Sequence, residues 1–265
     1  MKLLLTAPAG KMGRLVVREA LARPEDFTIV GAVGNPARDY IGKDVGIAAG
    51  CEPVGALTYG SVEEIISACD GVIDFSTPAV AMEVLSACVR HGKPLLIGTT
   101  GFTPEQEAEI ERASARIPFS ESHNTSKAVN LLYDLLRRAA EALGDEADVD
   151  IIEMHDRDKP DAPSGTGKVL GRIVADCRGQ DWNGAARFGR GDGRRGPGEI
   201  TCHSIRSGNI ASSHTVILGL AGERLELTHH AYDFSTFARG ALDGILFLCG
   251  QGPGRYDSRT ILGLG

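Results

Sequence analysis

Lys2-Leu3-Leu4-Leu5-Thr6-Ala7-Pro8-Ala9-Gly10-Lys11-Met12-Gly13 carries the strongest architectural signal in the chain. The apolar run Lys2–Thr6 is too short for the core of a signal peptide, and Pro8, Gly10, Lys11 and Gly13 follow at once, so it reads as a strand. From Gly10 to Arg23, Met12, Val16 and Ala20 recur on one helical face, which predicts a helix. A strand that turns directly into a helix aims backbone N–H groups and a positive helix end at one point. That is how the first βα unit of a Rossmann-type fold receives a pyrophosphate. The G-x-G-x-x-G fingerprint is partly present, with Gly10 and Gly13 at the second and third glycine positions and Ala7 and Pro8 in the turn before them. Gly10 lets backbone approach phosphate, and Gly13 lets the helix pack closely on the sheet.

The alternation continues downstream. Strands are predicted at Thr28–Val33, Gly71–Phe75, Pro94–Gly98 and Ile117–Ser120, with helices at Ser61–Cys69, Ala79–Arg90 and Pro104–Arg116. Continuous apolar strands between helices indicate a parallel sheet covered on both faces. After about residue 125 the pattern changes. One long helix, Thr125–Leu143, ends at Gly144. A strand at Val149–Met154, a charged glycine-rich stretch, and a helix to Cys177 follow. Asp181–Glu199 reads as a long loop, and Ile200–Arg206, Ser213–Leu220 and Arg224–His230 read as antiparallel strands. A final helix spans Thr236–Leu248. The expected fold is α/β, a Rossmann-type dinucleotide-binding domain at 1–126 rejoined by 236–265, with an α+β substrate and oligomerisation domain at 127–235.

Composition narrows the classes of function. The 265 residues are 42% hydrophobic and 24% charged, as expected of a globular protein rather than a disordered one. A net charge of −7 argues against nucleic acid as partner, since phosphate backbones need a basic surface. No stretch approaches the length of a membrane span, and the six cysteines form no C-x-x-C pair, so they read as reduced thiols of a cytoplasmic protein. No metal is expected.

At the end of the second strand, Gly31-Ala32-Val33-Gly34-Asn35-Pro36-Ala37-Arg38 holds no carboxylate to bind a ribose 2′-hydroxyl, and Lys11 or Arg38 can attract a 2′-phosphate. NADPH and NADH both remain candidates for the cofactor. Two further strand ends, Asp74-Phe75-Ser76-Thr77-Pro78 and Gly98-Thr99-Thr100-Gly101, carry small hydroxyl residues where a parallel sheet gathers its ligands. The densest chemistry runs from Glu153 to Lys168. His155 exchanges protons near neutral pH, Lys159 offers charge and a proton, and Ser164-Gly165-Thr166 opens a helix whose free N–H groups suit a carboxylate.

Taken with Asn124-Thr125-Ser126, Arg206-Ser207-Gly208, His214-Thr215-Val216 and Gly222–His229, these motifs resemble the dihydrodipicolinate reductase family along nearly the whole chain. The most specific part is His155, Lys159 and Asp161-Ala162-Pro163-Ser164-Gly165-Thr166, in that order. The resemblance implies reduction of 4-hydroxy-tetrahydrodipicolinate to tetrahydrodipicolinate in lysine and diaminopimelate biosynthesis. His155 and Lys159 would serve as the catalytic proton carriers, and Gly165 and Thr166 would bind a small dicarboxylate substrate. The cofactor would be lined by Ala7, Pro8, Ala9, Gly10, Lys11 and Met12, by Gly98, Thr99 and Thr100, and by Ser122, His123, Asn124 and Thr125. A homotetramer is also implied.

The chain departs from that pattern at several places. Ala7 stands for the first glycine, Ala128 and Ser212 for two others, and the acid–arginine pair after the second strand is absent. Asp156 stands at a substrate-binding position where the family has a second histidine. Two other readings follow: a related reductase for a different imino- or amino-acid, and a catalytically silent nucleotide-binding sensor.

Overall fold

The computed structural model describes residues 1–122 and 124–264. In chain order the elements are β1 (Lys2–Thr6), α1 (Lys11–Leu21), β2 (Thr28–Val33), α2 (Val45–Ala49), β3 (Thr58–Tyr59), β4 (Gly71–Asp74), α3 (Pro78–His91), β5 (Leu95–Ile97), α4 (Pro104–Ser114), β6 (Pro118–Glu121) and α5 (Lys127–Leu143). They continue with β7 (Asp148–His155), α6 (Gly165–Cys177), α7 (Trp182–Ala185), β8 (Ala186–Phe188), β9 (Ile200–Arg206), β10 (Ser212–Leu220) and β11 (Glu223–Ala231), then α8 (Ser235–Cys249), β12 (Gly254–Arg255) and α9 (Ser258–Ile261). The contacts divide into two compact units, Met1–Lys127 with Ser235–Gly265, and Ala128–Phe234.

The first unit holds a seven-stranded sheet in the order β12-β6-β5-β4-β1-β2-β3, parallel throughout, as the uninterrupted apolar strands predict. Side-chain alternation along β1 assigns its leucines to opposite faces. Leu3 and Leu5 pack with Val16, Val17 and Ala20 of α1 and with Ala241, Leu242 and Ile245 of α8. Leu4 packs on the other side with Val84, Leu85 and Cys88 of α3 and Ile110 of α4. The chain leaves β1 for β2 on one side and β4 on the other, which creates a crevice at the carboxyl end of β1.

The second unit is a five-stranded sheet, β11-β10-β7-β9-β8, covered on one face by α5 and α6. β10 runs antiparallel to β7 and β11, whereas β9 is parallel to β7 and to β8. The expectation of antiparallel pairing for Ile200–Arg206 is corrected here, because the connection through α6, α7 and β8 is long enough for a parallel return. The expected loop 181–199 is also partly ordered. Asp181 caps α7 by accepting a bond from Gly184 N, and Trp182 packs where a Cβ on Gly171 would come within 2.1 Å of its ring. In the first unit Ser61–Cys69 forms two 3-10 turns rather than an α-helix, broken at Ile65 (φ −135°, ψ −16°), whose side chain is buried beside that of Ile66. None of the described helices is long and apolar enough to cross a membrane.

Candidate functional site

The loop after β1 closes tightly. Ala7 takes the left-handed conformation at φ +49°, its N–H bonds Val33 O at 2.8 Å, and its carbonyl accepts from Gly10 N at 2.9 Å. A Cβ on Gly13 would lie 2.1 Å from that carbonyl, so only glycine lets α1 start so close to the turn. No side chain caps α1 at Gly10, and a helix start of this kind suits an anion. Beside it a cavity of about 590 Å³ is lined by Ala7, Ala9 and Gly10, by Asn35 and Arg38 after β2, and by Phe75 and Thr77 after β4. Tight backbone, an uncapped helix start and an adjacent cavity fit a dinucleotide's phosphates and one of its nucleosides. Lys11 and Arg38 are exposed, and Asp39 pairs with Lys43 at 3.5 Å.

Asp74, at the end of β4, is fully buried and binds three hydroxyls from three strand ends. Thr6 Oγ1 donates to Oδ1 at 2.8 Å, Ser76 Oγ to Oδ1 at 2.5 Å, and Thr99 Oγ1 to Oδ2 at 2.5 Å. The hydroxyls of Thr6 and Thr99 accept in turn from Phe75 N and Ser76 N. Burial pushes the Asp74 carboxyl above its ordinary range, opposed by these bonds. The Ser76 and Thr99 hydroxyls therefore serve the scaffold that carries Gly98 and exposed Thr100. Ser122 N bonds Ile97 O, the Ser122 hydroxyl donates to Asn124 O at 2.8 Å, and Thr125 Oγ1 donates to Phe237 O at 2.6 Å. The described residues of the expected cofactor segments, Ala7–Met12, Gly98–Thr100, and Ser122, Asn124 and Thr125, thus follow β1, β5 and β6 at the carboxyl end of the parallel sheet. His123 lies outside the described residues.

The second unit builds a different site on its sheet. Along β7 the residues facing α5 and α6 are Val149, Ile151, Glu153 and His155. The first two join the apolar core, together with their register partners Ile200, Cys202, Val216 and Leu218. One alternation further, the same face turns polar with Glu153, His155, Arg206 and His214. Glu153 is fully buried, and its Oε2 lies 2.6 Å from His155 Nδ1. Arg206 grips both carboxylate oxygens, Nη1 to Oε2 at 3.0 Å and Nη2 to Oε1 at 2.8 Å, and Ser164 N donates to Oε1 at 3.2 Å. Burial alone would raise the Glu153 carboxyl, but the bonds from His155 and Arg206 outweigh it and hold the group well below the ordinary carboxylate range. An ionised carboxylate only accepts, so His155 Nδ1 is the donor and Nε2 is the ring nitrogen left for chemistry.

His214 sits across the strand pair from Glu153, edge-to-face with His155 at 5.3 Å and 3.5 Å from the Ser164 hydroxyl. Burial pushes its pKa down to about 3, reinforced by His155 and His229, so the ring is neutral. Lys159 Nζ pairs with Asp161 Oδ1 at 2.7 Å. Asp156 turns back into its own loop, where Oδ1 accepts from Asp158 N at 3.0 Å. Ser164 caps α6 by accepting from Gly167 N at 3.1 Å, and Gly165 and Thr166 open the helix, with nothing within 4 Å of a Cβ placed on Gly165. Within this unit the structure gathers His155, Lys159, Gly165 and Thr166 around one strand end.

Glu153, Arg206 and His214 lie inside quoted motifs, yet sequence reasoning gave them no role. Glu-x-His on a strand was the available signal, because period-two alternation sends both side chains to one face.

The fold and these two constellations define a nicotinamide-dinucleotide-dependent oxidoreductase. Family models described as dihydrodipicolinate reductase, N-terminus and C-terminus, match residues 1–125 and 128–262. The chain belongs to the dihydrodipicolinate reductase family. It is 41% identical over 265 residues to a 4-hydroxy-tetrahydrodipicolinate reductase of Syntrophotalea carbinolica, covering 99% of both chains. It is likewise 41% identical over 266 residues to one from Alkalilimnicola ehrlichii, again with 99% of each covered. Its fold is similar to that of dipicolinate-bound dihydrodipicolinate reductase from Paenisporosarcina sp. TG-14, with TM-score 0.72, 22% identity and 98% of each chain covered.

Proposed function

We propose that this chain reduces 4-hydroxy-tetrahydrodipicolinate to tetrahydrodipicolinate with NADPH or NADH, in lysine and diaminopimelate biosynthesis. The observation that carries this reading is the pairing of His155 with a buried, ionised carboxylate in the same unit as Lys159 and the start of α6. His155 Nε2 and Lys159 Nζ then supply protons. The N–H groups at Gly165 and Thr166 bind a substrate carboxylate, and Lys159 balances its charge. Asp156 acts by shaping the loop that holds Lys159. The Ala7–Met12 turn holds the cofactor pyrophosphate, while Gly98–Thr100 and Ser122–Thr125 line the nicotinamide end. When bound, the reduced nicotinamide supplies the hydride.

Asp39 lines the cavity after β2 but is paired with Lys43 at 3.5 Å, and no pair of arginines after β2 captures a 2′-phosphate. The proposed preference is therefore no larger than about a hundredfold. A coupled assay tests the whole reading: a synthase makes the substrate from pyruvate and aspartate semialdehyde, and reduced-cofactor absorbance is followed with each cofactor. Absence of turnover with both would sink it.

We also propose a cytoplasmic homotetramer. Strand alternation places Ile152, Met154, Ile205 and Ile217 on the face of the second sheet away from α5 and α6, none of them fully buried, which suits subunit association. Light scattering on the purified protein tests this.

A further inference from the structure

The Glu153–Arg206 ion pair touches every part of the substrate site in its unit. Glu153 receives His155 Nδ1 through Oε2 and Ser164 N, at the cap of α6, through Oε1. Arg206 holds Glu153 in a two-pronged grip and donates to two carbonyls of the loop that carries the lysine. These bonds are Nε to Lys159 O at 3.3 Å and Nη2 to Asp161 O at 2.5 Å. Arg206 itself sits opposite His155 in the parallel register of β7 and β9, and His155 O accepts from Ser207 N at 3.0 Å. A proton donor, a cation and an anion-binding helix start come from three different segments, yet they share one pair of partners. An ion pair inside a sheet is weak as a source of stability, because desolvation offsets most of its attraction. Its geometry is better explained by what it aligns.

We propose that Glu153 and Arg206 are positioning residues that set the tautomer of His155 and the placement of the Lys159 loop and the α6 start as one assembly. The inference rests on the functional reading above. With Nδ1–H given to Glu153, the imidazolium loses its proton from Nε2 to the substrate. The N–H electron pair stays on Nε2, the hydride delivers two electrons, and Glu153 and Arg206 keep their charges throughout. The other groups around His155 are neutral His214 on β10 with His229 stacked behind it on β11, and Lys159 paired with Asp161. Around Glu153 stand the Ser204 hydroxyl and the Cys202 thiol on β9. Among the described residues packed here, Glu153 is the one anionic group bonded to the ring.

The experiment has a part independent of turnover. ¹⁵N NMR of the wild-type protein, with His155 assigned by difference from His155→Asn, should show the neutral ring protonated at Nδ1. In Glu153→Gln, where the neutral amide can donate as well as accept, the ring should lose this fixed preference and show a measurable share of the Nε2–H tautomer. Arg206→Lys, which keeps the charge but not the fork, should raise KM for the dicarboxylate about tenfold or more with a smaller change in kcat. Cofactor binding, read by nicotinamide fluorescence, should hold in both variants. An Nε2–H tautomer in the wild type, or an unchanged tautomer preference in Glu153→Gln, overturns the proposal. Absence of turnover in the wild type with the Nδ1–H tautomer present would instead overturn the functional reading and leave this assembly standing.

Discussion

Lys159 Nζ lies 2.7 Å from Asp161 Oδ1, and Arg206 donates to the backbone carbonyls of both residues. Asp161 thus holds the ammonium while Arg206 fixes the backbone on either side of it. Burial tends to raise the Asp161 carboxyl, but the bond and charge of Lys159 outweigh it and leave the group below its ordinary range. The Asp161 carboxylate thus stays ionised and holds its bond to Lys159 through neutral and mildly acid pH. Lys159→Ala should lower kcat by about a hundredfold or more, the scale of a positioned proton donor. Its melting temperature should stay close to wild type, because a partly solvated ion pair contributes little to stability. Near-normal turnover would remove Lys159 from the mechanism.

Ala7 holds a left-handed backbone that glycine adopts without strain. Ala7→Gly should stabilise the protein by about 0.5–1 kcal/mol, after the greater freedom of glycine in the unfolded chain is allowed for. Gly13→Ala should do the opposite. Its Cβ would meet the Ala7 carbonyl at 2.1 Å, forcing α1 away from the turn and weakening cofactor binding at least about tenfold. Denaturation curves and cofactor fluorescence read both effects.

Asp156 spends Oδ1 on the N–H of Asp158. Asparagine offers the same acceptor, so Asp156→Asn should change kcat/KM by less than about tenfold, the scale of one ordinary hydrogen bond. Asp156→His should leave activity equal or improved, by supplying the donor that the family resemblance implies at this position. If both substitutions abolish turnover, Asp156 takes part directly in this enzyme's chemistry.

His214 gives the fold a pH dependence of known sign. Its pKa falls from 6.5 to about 3, chiefly through burial, so the folded ring stays neutral while the unfolded one gains a proton. The unfolded state binds more protons across that window. Stability is therefore complete above the unfolded value and declines as pH drops toward 3. Urea titrations should show a loss of about 1.5 kcal/mol between pH 6.5 and about 5, before most carboxylates titrate. His229 shifts in the same direction and adds to it. His214→Gln should flatten this slope, and an equal slope in that variant would assign it elsewhere.

The parallel first sheet was legible because buried parallel strands are apolar without interruption and their helices keep a steady period, as along Val16, Val17 and Ala20. The short elements were not: α2, β3 and β12 are too brief to show any period. The direction of β9 was also hidden, since a half-buried strand reads the same whichever way its neighbour runs. For the same reason His155 and Lys159 could be singled out by their chemistry, whereas Arg206 could not. Its role depends on lying opposite His155 in a parallel register that no local pattern encodes.

The carboxylate of Asp74 joins the ends of β1, β4 and β5 through side chains that each strand contributes only once. Loosening any one of these turns means parting from a partner that the other two share. Their fluctuations are consequently collective, and hydrogen exchange at Phe75 N and Ser76 N reports on all three strand ends together. A lengthened loop at one of them would be felt at the other two, so insertions are better tolerated on the far edge, around β3, than at this carboxylate.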